Sequence, residues 1–210
     1  TDDPDDLTWA KFFDPIDDGG LTVRPEVYYA ATSSWHSDGS LGIYWGTGTP
    51  YDRTSSAPGY FFAVKDNAPG SCESFEALPI TDCGAEGIYQ LDPGEGLTSD
   101  PLVYSGVVYF TTWVPEEDLC DGGEGRIYGL DFEDCEPGMD TDGDGSATTD
   151  DEDYVTVDGY PSQVTVTEQG TIIYGSSNPD VDGDGDAVGI ISAVNDPFLG
   201  TQSMAWMEVF

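Results

Sequence analysis

The run Asp140-Thr141-Asp142-Gly143-Asp144-Gly145-Ser146-Ala147-Thr148-Thr149-Asp150-Asp151 is the stretch whose residue types and spacing speak most directly of chemistry. Carboxylates stand at the first, third and fifth places, glycine at the sixth and an acid at the twelfth, the pattern of a calcium loop. Alternation lets successive odd positions turn inward around a hard cation that takes about 6–8 oxygens. In this register Asp140, Asp142 and Asp144 offer side chains and Ser146 offers its carbonyl. Thr148 stands at the ninth place, and Asp151 closes the shell where glutamate is usual. Gly145 permits the sharp bend. No helical pattern flanks the loop, so the expectation is a calcium loop without its helix pair. A plain solvated acidic turn is the competing reading.

A second run, Asn178-Pro179-Asp180-Val181-Asp182-Gly183-Asp184-Gly185-Asp186, carries a similar alternation. Started at Asn178, it places oxygen donors at Asn178, Asp180, Asp182 and Asp186 with Gly183 sixth. Started at Asp180, it gives Asp180, Asp182 and Asp184 but closes on Ile191, which cannot ligate. The first register is chemically better. Asp2, Asp3, Asp5, Asp6, Asp17 and Asp18 lack the spacing and read as solvated surface.

Catalysis finds little support. The single histidine, His36, lies near Ser33, Ser34 and Asp38, yet no nucleophile elbow or oxyanion-hole signature accompanies it, and a surface loop is its expected place. With 42 acids in the chain, no carboxylate pair is informative for glycoside cleavage. Among the tryptophans, Trp9, Trp45, Trp113 and Trp206 read as packing, and Trp35 as the one that could form a sugar platform at a loop tip.

The bulk composition narrows the classes further. A net charge of −37 leaves too few cations to displace counterions from a phosphate backbone or to settle on anionic lipid, which excludes nucleic-acid and lipid-surface partners. The remaining explanations are divalent cations, a saline habitat or a solubility coat. At 38% hydrophobic and 12% aromatic residues, the chain can build a core, so disorder is excluded despite the charge. No run reaches the ~18 apolar residues of a membrane helix. The start Thr1-Asp2-Asp3-Pro4 has neither the basic nor the apolar region of a signal peptide. Cys72, Cys83, Cys120 and Cys135 allow three disulfide pairings, and sequence locality favours Cys72–Cys83 with Cys120–Cys135. Disulfides would imply an oxidising, extracytoplasmic compartment. The C-x-x-C spacing of zinc and haem sites is absent.

The elements that must position these residues are strands. Tyr44, Tyr109 and Tyr174 recur every 65 residues, each closing a Gly-led apolar run and each followed by a second apolar run. Such a period marks stacked or radial units, since one unit cannot bury its own apolar face. Short strands are expected near 22–30, 41–47, 59–65 and 87–91, then 101–105, 106–113, 125–131 and 153–158. The third set lies near 162–168, 170–175, 187–194 and 203–209. About four strands per unit is the arithmetic of a β-propeller blade. The expected organisation is an acidic segment over 1–20 and all-β, propeller-like blades over 21–95, 96–159 and 160–210. Three blades are fewer than the ~4–8 of a closed ring, so other segments or chains would complete it. A solenoid or a sandwich is the structural alternative.

Two stretches of this sequence resemble blades of the PilC/PilY family of type IV pilus tip proteins. One is Gly46-Thr47-Gly48-Thr49 with Gly59-Tyr60-Phe61-Phe62-Ala63-Val64-Lys65-Asp66-Asn67. The other is Val108-Tyr109-Phe110-Thr111-Thr112-Trp113-Val114-Pro115 with Cys120-Asp121-Gly122-Gly123 and Gly125-Arg126-Ile127-Tyr128-Gly129-Leu130-Asp131. The resemblance covers most of 21–132 and, loosely, the tail Met204-Ala205-Trp206-Met207-Glu208. It implies a C-terminal modified β-propeller with a calcium loop, to which Asp140, Asp142, Asp144 and Asp151 correspond in kind. It also implies a cell-surface or pilus location, pilins or minor pilins as partners, and a role in pilus assembly and adhesion rather than catalysis. Family members are far longer than this chain. The competing readings are a structural subunit, pairing with copies of itself through exposed blade edges into a ring or filament, and a quinone-cofactor dehydrogenase. No residue constellation for a quinone is visible.

Overall fold

The computed structural model describes residues 12–17, 19–22, 24–48, 57–67, 69, 77–80, 83–84, 87–116, 122–168, 170–177 and 188–191. They form three antiparallel sheets, and no α-helix occurs among the described residues. The first sheet holds β1 (Thr32–Trp35), β2 (Leu41–Gly46), β3 (Pro58–Asp66), β4 (Ala77–Pro79) and β5 (Ile88–Pro93), with β4 and β5 both pairing with β3. The second holds β6 (Gly96–Leu97), β7 (Leu102–Tyr104), β8 (Val107–Val114), β9 (Glu124–Asp131) and β10 (Tyr154–Asp158). The third holds β11 (Thr165–Val166), β12 (Ile172–Gly175) and β13 (Val188–Ile191).

Each sheet grows as a meander of sequence neighbours, which local turns make possible. Between β7 and β8 the two turn residues Ser105 and Gly106 both have positive φ, 52° and 87°. That geometry matches the right-handed twist of the strands it joins. β8, with the sequence Val-Val-Tyr-Phe-Thr-Thr-Trp-Val, is rich in β-branched and aromatic residues and is buried on both faces. It is buried so because its sheet is the middle layer.

Alternation along the strands sends odd and even residues into two different cores. Tyr44, Phe61 and Ala63 of the first sheet meet Val108, Phe110, Tyr128 and Leu130 of the second. Four rings stack nearly parallel through this core, Tyr44 on Phe61, Phe61 on Phe110 and Phe110 on Tyr128, with centroids 6.5, 4.0 and 4.5 Å apart. The other face of the second sheet, with Val107, Tyr109, Ile127 and Val157, packs on Val164, Ile172 and Tyr174. The third layer is also tied back through polar contacts. Asp100 accepts from the Ala30 amide through its carboxylate and from Gln163 through its carbonyl, and the Tyr29 and Tyr160 hydroxyls lie 3.2 Å apart.

The 65-residue period marks a real equivalence, since Tyr44, Tyr109 and Tyr174 sit on β2, β8 and β12 and all are buried. Strict repetition of facing does not hold. Tyr109 looks forward to the third sheet, whereas Tyr174 looks back at the second. Among the described residues the sheets stack in layers and are not seen to close into a ring or barrel.

Several expectations are corrected. The first strand is 32–35 rather than 22–30, and the short β4 and β6 were not expected. The span 203–209 lies outside the described residues. The described disulfide joins Cys83 to Cys135 across 52 residues, with Cα atoms 5.0 Å apart, so neither sequence-local pairing forms. Cys83 precedes β5 in the first sheet and Cys135 follows β9 in the second. Their meeting depends on the stacking of the two sheets, which locality in the chain cannot anticipate. Cys72 and Cys120 lie outside the described residues.

Near the start of the described residues, Asp17 is exposed, as expected of it, while its neighbours pack. Phe13 sets its ring edge-on against Trp45 and Phe62, with centroids 5.7 and 6.0 Å away. Asp14 is buried, accepts from the Ile16 amide and pairs with Arg24 at 2.5 Å.

Candidate metal centre

β9 ends at Asp131 and β10 begins at Tyr154, so residues 132–153 form an excursion between two neighbouring strands. Its first part is pinned by backbone bonds. The Asp131 amide donates to the Glu136 carbonyl and the Gly138 amide to the Gly129 carbonyl, continuing the sheet past its formal end. Cys135 takes a positive φ of 61°, a conformation uncommon for a residue with a side chain, and the disulfide holds it there. Met139 is buried in the second core, directly before Asp140. The excursion returns with the Asp153 carbonyl accepting from the Gly129 amide, after which Tyr154 pairs with Tyr128.

Between these anchors Asp140, Asp142 and Asp144 each turn one carboxylate oxygen to a common place, all within 4.8 Å of one another. Asp140 is buried, and Asp142 and Asp144 are exposed. Loop amides aim the three side chains. Asp140 accepts from Gly143 at 2.7 Å and Gly145 at 3.0 Å, Asp142 from Asp144 at 2.9 Å, and Asp144 from Ser146 at 2.9 Å. Gly143 and Gly145 have φ of 79° and 100°, so the loop bends where the sequence supplies glycine.

Asp151 holds the loop shut. One oxygen accepts from the Thr141 amide at 2.6 Å, the Thr141 hydroxyl at 3.0 Å and the Asp142 amide at 3.1 Å, and the other accepts from the Thr148 amide at 2.8 Å. These bonds, that from Thr148 first, hold the Asp151 carboxyl below the usual carboxylate range. Thr148 also accepts Asp150's amide on its hydroxyl and Asp151's on its carbonyl, and Ser146 donates its hydroxyl to Asp144. The structure thus gathers Asp140, Asp142 and Asp144 and assigns Asp151 to the loop's backbone. The chemistry of the trio suits calcium, because all three donors are hard carboxylate oxygens on a loop already bent around them. The second candidate, Asn178, Asp180, Asp182, Asp184 and Asp186, lies outside the described residues.

Contacts that the sequence did not signal tie this excursion to the neighbouring sheet. Besides Cys83–Cys135, the Tyr89 hydroxyl donates to Asp153 at 2.7 Å, and Ser37 gives its amide and hydroxyl to Glu133 at 2.6 and 2.9 Å. His36 is buried, against the expectation of a surface loop residue, because the turn after β9 covers it. Its Nε2 lies 2.6 Å from the Tyr44 hydroxyl, and its ring meets Phe132 edge-on at 5.2 Å. The Tyr44 hydroxyl spends its one proton on the Phe132 carbonyl, which assigns the proton of the His36–Tyr44 bond to Nε2. Burial pushes the His36 pKa down. Trp35 stands 63% exposed, but it ends the edge strand β1 rather than sitting at a loop tip.

No protein-family model matches the sequence, and no curated protein does so either. The fold is similar to a solved structure, the C-terminal domain of Pseudomonas aeruginosa PilY1, with a TM-score of 0.50 and 13% identity. The alignment covers 73% of this chain and 44% of that one, so the chain spans less than half of that domain. At this identity the likeness speaks for the fold alone: a PilY1-like stack of antiparallel sheets carries the aspartate loop.

Proposed function

We propose that this chain is part of a calcium-binding β-propeller of the PilC/PilY kind, acting by binding at a cell surface or pilus and not by catalysis. The observation that carries the reading is the convergence of Asp140, Asp142 and Asp144 on a loop built into a sheet stack similar to the PilY1 C-terminal domain. Calcium would offset the mutual repulsion of the three carboxylates and fix the loop, and whatever binds only the folded state adds to its stability. Within the two five-stranded sheets, the four-strand runs β1-β2-β3-β5 and β7-β8-β9-β10 support the propeller reading, with the remaining blades supplied by other segments or chains. By the same resemblance the partners are pilins or minor pilins, the location is extracellular, and the role is pilus assembly and adhesion. The Cys83–Cys135 disulfide supports an oxidising compartment.

Calorimetric titration of the chelator-stripped chain with calcium, paired with thermal melting, tests the metal reading. The expected result is saturable binding with a raised melting temperature. An unchanged melting temperature would remove calcium from the proposal. The adhesion reading is checked by pull-down of purified pilins on the calcium-loaded chain. If no pilin is retained while the chain forms rings or filaments, the structural-subunit reading takes its place.

A further inference from the structure

Where the turn between β1 and β2 meets the turn after β9, both enclose one neutral imidazole. His36 opens the first turn, with its amide on the Ser40 carbonyl, and only 7% of it is exposed. Its Nε2–H donates to the Tyr44 hydroxyl, which in turn donates to the Phe132 carbonyl, and the Phe132 ring stands edge-on to the imidazole. β2 makes room beneath these bonds by carrying glycine at 42. A Cβ there would stand 2.3 Å from Nε2 and 2.2 Å from the Tyr44 hydroxyl oxygen. One residue on, Ser37 gives its amide and hydroxyl to Glu133. Side chains of two adjacent residues thus join the first sheet to the turn that leads into the aspartate loop, and the imidazole fills the centre of the joint.

Nε2 already carries the one proton of the neutral ring, so a second must go to Nδ1, for which the described residues supply no acceptor. A charged N–H in that place has lost its water and gained no partner, which is costly. The groups facing the ring pull in both directions. Glu133 on the opposite turn and Asp38 on its own turn favour the proton, Lys65 on β3 opposes it, and the Tyr44 phenol on β2 stays neutral because burial pushes its pKa up. Asp131, at the end of β9, acts on Tyr44 and is itself held above the usual carboxylate range by burial. While the joint is closed, burial of the imidazole outweighs the two acids. Once it opens, the ring regains water and the balance reverses. We infer that the joint is a proton-operated latch: protonation of His36 releases the turn of residues 132–136 from the first sheet and loosens the aspartate loop that follows. The Cys83–Cys135 disulfide keeps the released turn near its seat, so the opening is local and reversible. Resting on the calcium reading above, the consequence is a site that holds its ion less tightly in acid.

Hydrogen exchange of the full chain in chelator, corrected for the intrinsic rate at each pH, tests the latch. Protection of Ser37, of residues 132–138 and of the Gly143 and Gly145 amides should fall about three- to tenfold between about pH 7.5 and about pH 5.5, with the paired core of β8 and β9 unchanged. His36→Gln keeps a donor toward Tyr44 but cannot take the proton, and should show no such fall. Equal protection of the wild-type turn at both pH values overturns the inference. So does an equal fall in His36→Gln, which would assign the opening to Glu133, Asp38 or Asp131, and so does a fall shared by β8 and β9. If His36→Gln fails to fold, the wild type decides, because its one histidine titrates as a single set of ring signals by NMR. Protection lost above the ring's own titration midpoint supports the latch, and loss that begins only below it overturns it. Calcium titration at the same two pH values reads the consequence for the loop: affinity falling further in wild type than in His36→Gln supports the coupling, and equal falls overturn it. Absence of calcium binding at either pH counts against the calcium reading, and the exchange result still decides the latch.

Discussion

Glu95 is a carboxylate taken out of water, and its partners explain why the second sheet tolerates it. Thr112 donates to it at 2.5 Å, Tyr128 at 3.0 Å, the Asp92 amide at 2.9 Å and Arg126 at 2.9 Å. Arg126 is itself shared with Asp92 and Glu124 and lies over the Tyr154 ring. Removing Glu95 leaves Arg126 with Asp92 and Glu124 but strips the buried Thr112 and Tyr128 hydroxyls of their acceptor, at a cost of about 1–3 kcal/mol each. Glu95→Ala is therefore expected to lower the urea midpoint by a large margin, whereas Asp92→Ala, whose side chain is exposed, should cost about 1 kcal/mol or less. Denaturant titration of both variants checks the contrast. His36 supplies a pH prediction. Burial depresses its folded pKa below the unfolded value of about 6.5, outweighing Glu133 and Asp38, which act the other way, and joined by Lys65. As pH falls below that value, the unfolded chain takes up a proton that the folded chain refuses. The contribution is complete above about pH 6.5 and is lost as pH falls toward the folded pKa. Melting temperature against pH should slope downward there, and His36→Asn should flatten that part of the curve. Neither environment was legible in the sequence. The turn that buries His36 comes from Phe132, far along the chain, and Glu95 looks like any other of the chain's acids until Arg126 and Tyr128 fold over it.

At the scale of elements, the aspartate loop matters because both of its ends are fastened to a different sheet from its own. Cys83–Cys135 and Ser37–Glu133 fix the entry, and Tyr89–Asp153 fixes the exit. A cross-link over 52 residues removes chain entropy from the unfolded state worth about 4 kcal/mol. Reduction, or Cys83→Ser with Cys135→Ser, should lower stability by about that amount, read as a loss in chemical denaturation. It should also weaken calcium binding if the entry turn holds Asp140 in place; equal affinity in oxidised and reduced chains would show that the loop is shaped by its own amides alone. Asp151→Asn separates these contributions, since an amide side chain cannot accept all the bonds that the two carboxylate oxygens now receive. Its expected signature is a smaller calcium-induced shift in melting temperature with the disulfide intact. The convergence of Asp140, Asp142 and Asp144 could be read from residues 140–151 because the loop is local, each of these carboxylates aimed by an amide two to five residues away. The strands β2, β3, β8, β9 and β10 were equally plain from their apolar runs. β1 was not, since Thr32-Ser33-Ser34-Trp35 is an edge strand with no apolar alternation, and the Val-bearing run before it attracted the assignment. The disulfide was hidden for the converse reason: it reports which turns of two stacked sheets coincide.

On the whole molecule, 42 acids face 5 bases across a surface whose sheets must still come together. The layers are held by apolar contact, through the ring stack between the first two sheets and the Tyr109–Tyr174 core between the last two. Charge repulsion opposes all of it, and repulsion between exposed groups weakens once their separation exceeds the Debye length, about 30 Å at 0.01 M salt and about 8 Å at 0.15 M. Metal-free protein should therefore melt at a higher temperature as sodium chloride rises through that range, and the gain should level off as screening saturates. Calcium, if it is the ion of the proposed site, would add two effects that monovalent salt cannot imitate. It would carry double charge to the place where three carboxylates converge, and it accepts irregular oxygen shells that magnesium, bound to strict octahedral geometry, takes up reluctantly. At fixed ionic strength, calcium should raise the melting temperature beyond the plateau reached with sodium chloride, and magnesium should do so less. Asp140→Asn, altering the buried member of the trio, should erase the calcium increment while leaving the sodium chloride response in place. Equal responses to calcium and magnesium in wild type and variant would instead assign the whole effect to diffuse screening, and the acidity would then be a property of the surface and not of a site.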